Sequence, residues 1–211
     1  KKRDHRKLGQ ELDLFTTNED VGPGLILWLP KGTIVKEELE KLGKETEEKW
    51  GYQRISTPHI AKKKLYTTSG HLPYYKDDMY PPMKYEGGEY YLKPMNCPQH
   101  TQLYGAEPRG YRDLPVRFAD SSLLYRDEKP GELAGLTRLR AFSQDDGHCF
   151  LREDQIEEEF DRVLGAIEKA MGTYGLEYWI RLSLRDEKDK KKYLGNDATW
   201  KKSQLLMKNL L

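Results

Sequence analysis

The sequence is poor in cysteine, with two in 211 residues, Cys97 and Cys149. Two thiols make no disulfide framework, so the expectation is a reduced, cytoplasmic protein. Long apolar runs are also missing. The longest, residues 25–29, falls far short of the roughly 20 residues a membrane-spanning helix needs, and no secretory leader is legible, so no membrane partner is expected. Neither sign of charge dominates. Thirty-six Lys+Arg against 35 Asp+Glu leave a formal net charge of +1, which excludes a module that grips a polyanion by bulk charge. Any nucleic-acid contact must be local. The basic runs at 62–64, at 188–192 and in the N-terminal K-K-R-D-H-R-K read as solvated faces. Glycine is present, but no Gly-x-Gly-x-x-Gly follows a strand and no Gly-Lys-Ser/Thr occurs. A nucleotide, if bound, is held by arginines on a sheet rather than by a glycine loop at a helix end.

What is there suits a well-solvated protein of one domain, or one and a half, with 34% charged and 36% hydrophobic residues. Leu8, Leu12 and Phe15 predict a short surface helix within 4–15. Residues 25–29 predict a strand. Ile34, Val35, Leu39, Leu42 and Trp50 predict a helix over 33–50, with Gly51 at its C-terminal end. A strand over 52–57 stops at Pro58, and 59–66 reads as a helical turn or two. T-T-S-G-H-L-P and Y-P-P-M are loops, which leaves His71 exposed. A strand follows at 89–93. A helix spans 97–105, with Pro98 in its first turn. Strands are expected at 116–126 and 178–184, and helices at 153–174 and 198–211. Hairpin-paired strands with inserted helices are an α+β pattern with a mainly antiparallel sheet flanked by helices.

The stretch 125–150, read with Cys97, carries the chemistry. From Leu136 it alternates, and a strand sends successive side chains to opposite faces. Arg138, Arg140, Phe142, Gln144, Asp146 and His148 would share one face, with Cys149 on the other as a small core residue. Guanidinium forks grip phosphate, so Arg126, Arg138 and Arg140 point to a phosphate-bearing ligand. Arg126 beside Asp127 and Glu128 reads equally as a surface ion pair. Phe142 could stack on a base or pack in a core. Cys97 and His148 are zinc-type donors, and His100, one turn after Cys97, could assist. Gln144 and Asp146 could take hydrogen bonds from an amine or hydroxyl, or simply face solvent.

Several stretches together resemble the catalytic domain of the threonyl-tRNA synthetases, class II aminoacyl-tRNA synthetases. They are D-H-R-K-L-G-Q-E-L-D-L-F at 4–15, R-I-S-T-P at 54–58, T-S-G-H, K-P-M-N-C-P-Q-H at 93–100, Y-R-D-L-P at 111–115, Y-R-D-E, and L-T-R-L-R-A-F-S-Q-D-D-G-H. The resemblance implies an antiparallel class II core across 1–211. Motif 1 would lie at about 33–58, forming a homodimer interface, and motif 2 at about 123–150. It implies ATP, L-threonine and tRNA(Thr) as partners, with Zn(2+), and Mg(2+) accompanying ATP. Arg126 would hold the α-phosphate and the amino-acid carboxylate. Glu128 would take the adenine amino group, Arg138 would reach the γ-phosphate and Phe142 would stack on adenine. Met95, Gln144 and Asp146 would line the threonine pocket. Cys97 and His148 would bind zinc, and His71 would act near the terminal ribose of the tRNA. The third zinc ligand, motif 3 and an anticodon-binding domain would follow Leu211, so the resemblance implies a fragment. The acidic Glu132 and the small Ala134 depart from what the tip of motif 2 would need beside the tRNA acceptor end. A synthetase-like paralog that has lost catalysis and serves in binding or dimerisation is the alternative.

Overall fold

The computed structural model describes residues 3–188, 193 and 195–211. Residues 1–2 and most of the expected basic run 188–192 lie outside the described residues. The chain divides into two compact units, Lys1–Arg109 with Arg117–His148, and Gly110–Val116 with Cys149–Leu211.

In the first unit, α1 (His5–Glu11) is capped by the Asp4 carboxylate, which accepts from the Arg6 amide. It leads to β1 (Phe15–Thr16), paired antiparallel with β2 (Leu27–Trp28). The expected helix thus ends before Phe15. Helix α2 (Pro30–Lys49) starts with proline in its first turn and ends before Gly51, whose φ of +83° a side chain would disfavour. Gly32 is required in α2. A Cβ there would lie 1.8 Å from the carbonyl oxygen of Leu14.

Strand β3 (Gln53–Arg54) runs parallel to β7 (Val116–Tyr125), with Gln53 opposite Phe118 and Arg54 opposite Ala119. This is the parallel pairing in a fold otherwise expected to be mainly antiparallel. A second sheet has the order β4 (Ile60–Lys62), β6 (Gly88–Leu92), β5 (Met83–Tyr85), both pairings antiparallel. The helical turn expected from residue 59 is corrected here. Residues 60–62 take a ladder to β6, and the helix α3 (Lys63–Thr68) begins only afterwards. Backbone pairing with a neighbouring strand overrides apolar spacing in so short a segment. A short helix α4 (His71–Tyr74) follows, where a loop was expected. Tyr66, Met79 and Tyr91 form the buried cluster between α3 and this sheet, with Ala61 and Leu72 against it.

Helix α5 (Cys97–Gly105) has its expected bounds. Strand β8 (Ala141–Phe150) neighbours β7. The pair is a hairpin, because the amide of Arg126, just past β7, donates to the carbonyl of Arg140, just before β8, at 3.0 Å. The strand expected from Leu136 is therefore shorter than its alternation suggested. Residues 134–138 form a turn, in which the amides of Thr137 and Arg138 both donate to the carbonyl of Ala134.

In the second unit, a short 3-10 turn at Glu153–Gln155 leads into α6 (Ile156–Tyr174), ended by Gly175 at φ +62°. Helix α7 (Asp197–Leu210) is capped by Asn196 and packs with α6. The strand expected at 178–184 does not form. It has no ladder partner among the described residues, and Tyr178, Trp179, Ile180 and Leu184 are exposed. A strand needs a neighbour to bond to, and alternation alone does not supply one.

Candidate active site

The segment 93–100 is the hub of the candidate site in the first unit. Lys93 extends β6 by one residue. Its amide donates to the carbonyl of His59 at 2.9 Å, and its carbonyl accepts from the Tyr125 amide at 3.0 Å. Its side chain is fully buried. The Nζ donates to Thr57 Oγ1 at 2.8 Å and to Ser122 Oγ, and lies 3.9 Å from Asp120 Oδ2. Burial lowers the pKa of Lys93, while Asp120 and Asp146 favour its charged form. A buried ammonium persists only with such partners.

Two polar chains leave Lys93. In one, Ser122 Oγ donates to Asn96 Oδ1 at 3.3 Å and Asn96 Nδ2 donates to Asp146 Oδ2 at 3.0 Å. In the other, Thr57 Oγ1 donates to Asp120 Oδ2 at 2.8 Å. Asp120 Oδ2 in turn faces His100 Nε2 at 3.6 Å. His100 then meets His148, with Nδ1 to Nδ1 at 2.8 Å and the rings edge to face, 4.6 Å between centroids. Burial first, and His148 second, lower the pKa of His100. Thr57, Lys93, Asn96, Asp120 and Ser122 were not singled out from the sequence. A signal was available for two of them. Asp120 and Ser122 occupy the same alternating positions of β7 as the buried Phe118 and Leu124, so polar groups stand where apolar ones belong.

The expected one-sided row survives in its second half. Asp146 and His148 face this segment, and Phe142 is linked to it through Arg126. The Arg126 guanidinium lies 5.0 Å over the Phe142 ring, and its Nε reaches the carbonyl of Pro94 at 3.5 Å. Arg126 is thus not tied to Asp127 or Glu128. Asp146 meets Asn96 and His148 meets His100, the neighbours of Cys97 at the start of α5. Gln144 is exposed, and Met95 is half-buried between the buried Pro94 and Asn96.

The first half of the row is corrected. Arg138 and Arg140 precede β8 and do not share its face. Arg138 Nε donates to Glu128 Oε2 at 2.8 Å and its NH2 to Glu132 Oε2 at 3.1 Å. Arg140 Nε donates to the carbonyl of Glu128 at 3.0 Å. Glu132, out of place for a loop meeting RNA, here serves as an intramolecular partner of Arg138. His71 is corrected too. It is buried, bonded through Nδ1 to Ser69 Oγ at 2.9 Å and set against Tyr66 and Tyr75. Burial lowers its pKa. Cys149 is half-buried.

Cys97 heads α5, one turn before His100, so their Cβ atoms are about 5–6 Å apart. Its thiol is half-buried, and burial with the nearby Asp146 carboxylate raises its pKa. The Cys97 thiol and the imidazole of His148, which His100 meets beside the start of α5, fit a zinc ion as part of its donor set. No group of three His, Cys, Asp or Glu side chains arranged to hold a metal ion occurs among the described residues.

Residues 80–205 match the model of the tRNA synthetase class II core domain (G, H, P, S and T). The chain belongs to that family. Curated relatives named threonine–tRNA ligase include those of Cytophaga hutchinsonii, 49% identical over 207 residues, and Thermus thermophilus, 49% identical over 205. These alignments cover 97% and 95% of this chain but 32% and 31% of the relatives, so the chain spans about a third of their length. A crystal structure described as the RNA binding domain of threonyl-tRNA synthetase from Cryptosporidium parvum superposes with a TM-score of 0.89 at 36% identity. It covers 99% of this chain and 51% of that one. The expected α+β class II core is therefore borne out. The helix α5 and the hairpin β7–β8 fall within the region matched by the family model.

Proposed function

We propose that this class II core is part of the active site of a threonine–tRNA ligase. Such an enzyme joins threonine to AMP and then to the 3′ end of tRNA(Thr). The observation that carries the reading is the convergence of Asn96, Cys97 and His100 with Asp146 and His148, beside Arg126 over Phe142. In the first step a carboxylate oxygen of threonine attacks the α-phosphorus of ATP, and pyrophosphate leaves. That step needs charge neutralisation and alignment more than a base, and Mg(2+) would accompany ATP. Arg126 is the group to hold the α-phosphate and the carboxylate, since no side chain among the described residues already engages its guanidinium in an ion pair. Phe142 would offer its ring to adenine, and Glu128, held by Arg138, would accept from the adenine amino group. Arg138 would have to release Glu132 to reach the γ-phosphate.

Met95, Gln144 and Asp146 would surround threonine, with Asp146 fixed by Asn96. Zinc, held by Cys97 and His148 with a further ligand outside the described residues, would supply a Lewis-acid anchor for the substrate amine and hydroxyl. A site built on a hydroxyl contact rejects the isosteric valine by a factor on the order of 10⁴. In the second step a ribose hydroxyl of the tRNA end attacks the threonyl carbonyl carbon, and AMP leaves. His71 would accept the proton of the 2′-hydroxyl. Its burial favours the neutral, proton-accepting ring, and with Nδ1 on Ser69 it would use Nε2. The motif 1 region is proposed as a homodimer interface, supported by the exposed Ile34, Val35 and Leu39 of α2. Cytoplasmic localisation belongs to the same reading. The absence of a helix long and apolar enough to cross a membrane among the described residues is compatible with it.

The experiment is threonine-dependent ATP–pyrophosphate exchange by the intact protein. Arg126→Ala should abolish it. Exchange at the wild-type rate in that variant would contradict the assignment.

A further inference from the structure

Two Nδ1 atoms 2.8 Å apart share one proton, so one of His100 and His148 donates and the other accepts. The choice is made on the far side of His100. Its Nε2 lies 3.6 Å from Asp120 Oδ2 and has no hydrogen-bond partner among the described residues. That oxygen is committed as an acceptor, because Thr57 Oγ1 lies 2.8 Å from it and Lys93 Nζ lies 2.8 Å from Thr57 Oγ1. An ammonium has donors only, and a hydroxyl has one proton. The direction from Lys93 through Thr57 to Asp120 therefore cannot be reversed. A neutral imidazole that turned its lone pair to this carboxylate would be repelled, whereas an N–H is attracted. His100 accordingly carries its proton on Nε2, its Nδ1 accepts, and His148 donates from Nδ1.

We propose that Asp120 and His100 are positioning residues that keep the proton of His148 on Nδ1, so that its Nε2 lone pair is the one presented to a metal ion bound with Cys97. Histidine ligands are commonly oriented by the hydrogen bond of their second nitrogen. The proposal rests on the zinc reading for its purpose, but the placement of the proton needs no zinc. It also gives a role to the buried polar network. Lys93 fixes the direction of one chain toward His148 and of the other, through Ser122 and Asn96, toward Asp146.

The test uses the intact protein labelled with ¹⁵N-histidine, with the His148 signals assigned by their loss in His148→Gln. In metal-free wild type, Nδ1 of His148 should be protonated and Nε2 bare. The opposite tautomer would overturn the proposal, even in a protein that binds zinc. The tautomer as expected in a protein that binds no zinc would uphold the relay and remove the zinc reading. Asp120→Ala removes the acceptor opposite His100 Nε2. It should release the His148 proton from Nδ1 to distribute over both ring nitrogens and weaken zinc binding, read by competition with a chromogenic chelator, by roughly 10- to 100-fold. Wild-type zinc affinity in that variant would overturn the proposal. Should Asp120→Ala fail to fold, the wild-type spectrum decides alone.

Discussion

The carboxyl groups of Glu47 on α2 and Asp145 on β8 are neighbours, close enough for a protonated Glu47 to donate to Asp145. Gly43, one turn earlier, leaves room for the approach, since a Cβ there would lie 2.5 Å from Asp145 Oδ2. Burial, then the bond and charge of Asp145, push the pKa of Glu47 from 4.5 up to about 8, against the opposing pull of Arg54 and Lys44. A raised folded-state value means that folding takes up a proton. The stabilisation is complete below the unfolded value and is lost as pH rises through about 8.

Glu47→Gln should remove that dependence, because an amide can donate to Asp145 at any pH. Wild-type stability should fall between pH 5 and pH 8.5, by on the order of 1 kcal/mol after allowance for the solvent around the exposed Asp145 and half-buried Glu47. The variant should fall less. Urea unfolding across that range measures it, and parallel pH curves for the two proteins would contradict the pairing.

Lys93 should be the most sensitive single polar position. Lys93→Met leaves Asp120 without its buried cation and Thr57 and Ser122 without their donor. The expected loss is about 3 kcal/mol, the scale for breaking one partner of a buried pair. Thr57→Val, which removes one hydroxyl, should cost about 1–2 kcal/mol. Denaturant midpoints would rank the two, and equal small losses would mean that solvent reaches the network.

Gly32→Ala should destabilise although alanine is the better helix former. Its Cβ would meet the backbone carbonyl of Leu14 at 1.8 Å, and that oxygen also accepts from the Leu29 amide at 3.0 Å. Backbone cannot swing aside as a flexible side chain would, so a loss of about 2–3 kcal/mol is expected. A melting temperature at or above wild type would show that α2 and residue 14 can separate without cost.

Much of this was legible in the residues. Helix α5 was found at its observed bounds, and α2 and α6 within a few residues, because apolar spacing, proline in the first turn of α5, and the glycine after α2 and α6 agree with one another, although Pro30 was read as part of a turn and opens α2 instead. Phe142, Asp146 and His148 were correctly placed on one face because β8 is a true strand there. Alternation misled where no ladder forms, at 136–140, where a turn bonds back to Ala134, and at 178–184, where no partner strand is described. The burial of His71 was hidden because a T-S-G-H stretch says nothing about Tyr66 and Tyr75 closing over the ring. The Lys93 network was hidden for a related reason. Its members come from three separate stretches of the chain, at 57, 93–96 and 120–122, and meet only in the folded chain.

Zinc content and threonine-dependent pyrophosphate exchange, measured on the same preparations of intact wild type, Cys97→Ser and His148→Ala, test the site most directly. The expected result is one zinc per chain in wild type, with zinc and exchange both lost in each variant. Full zinc in both variants, with exchange unchanged, would mean that the start of α5 and the end of β8 do not hold the substrate anchor.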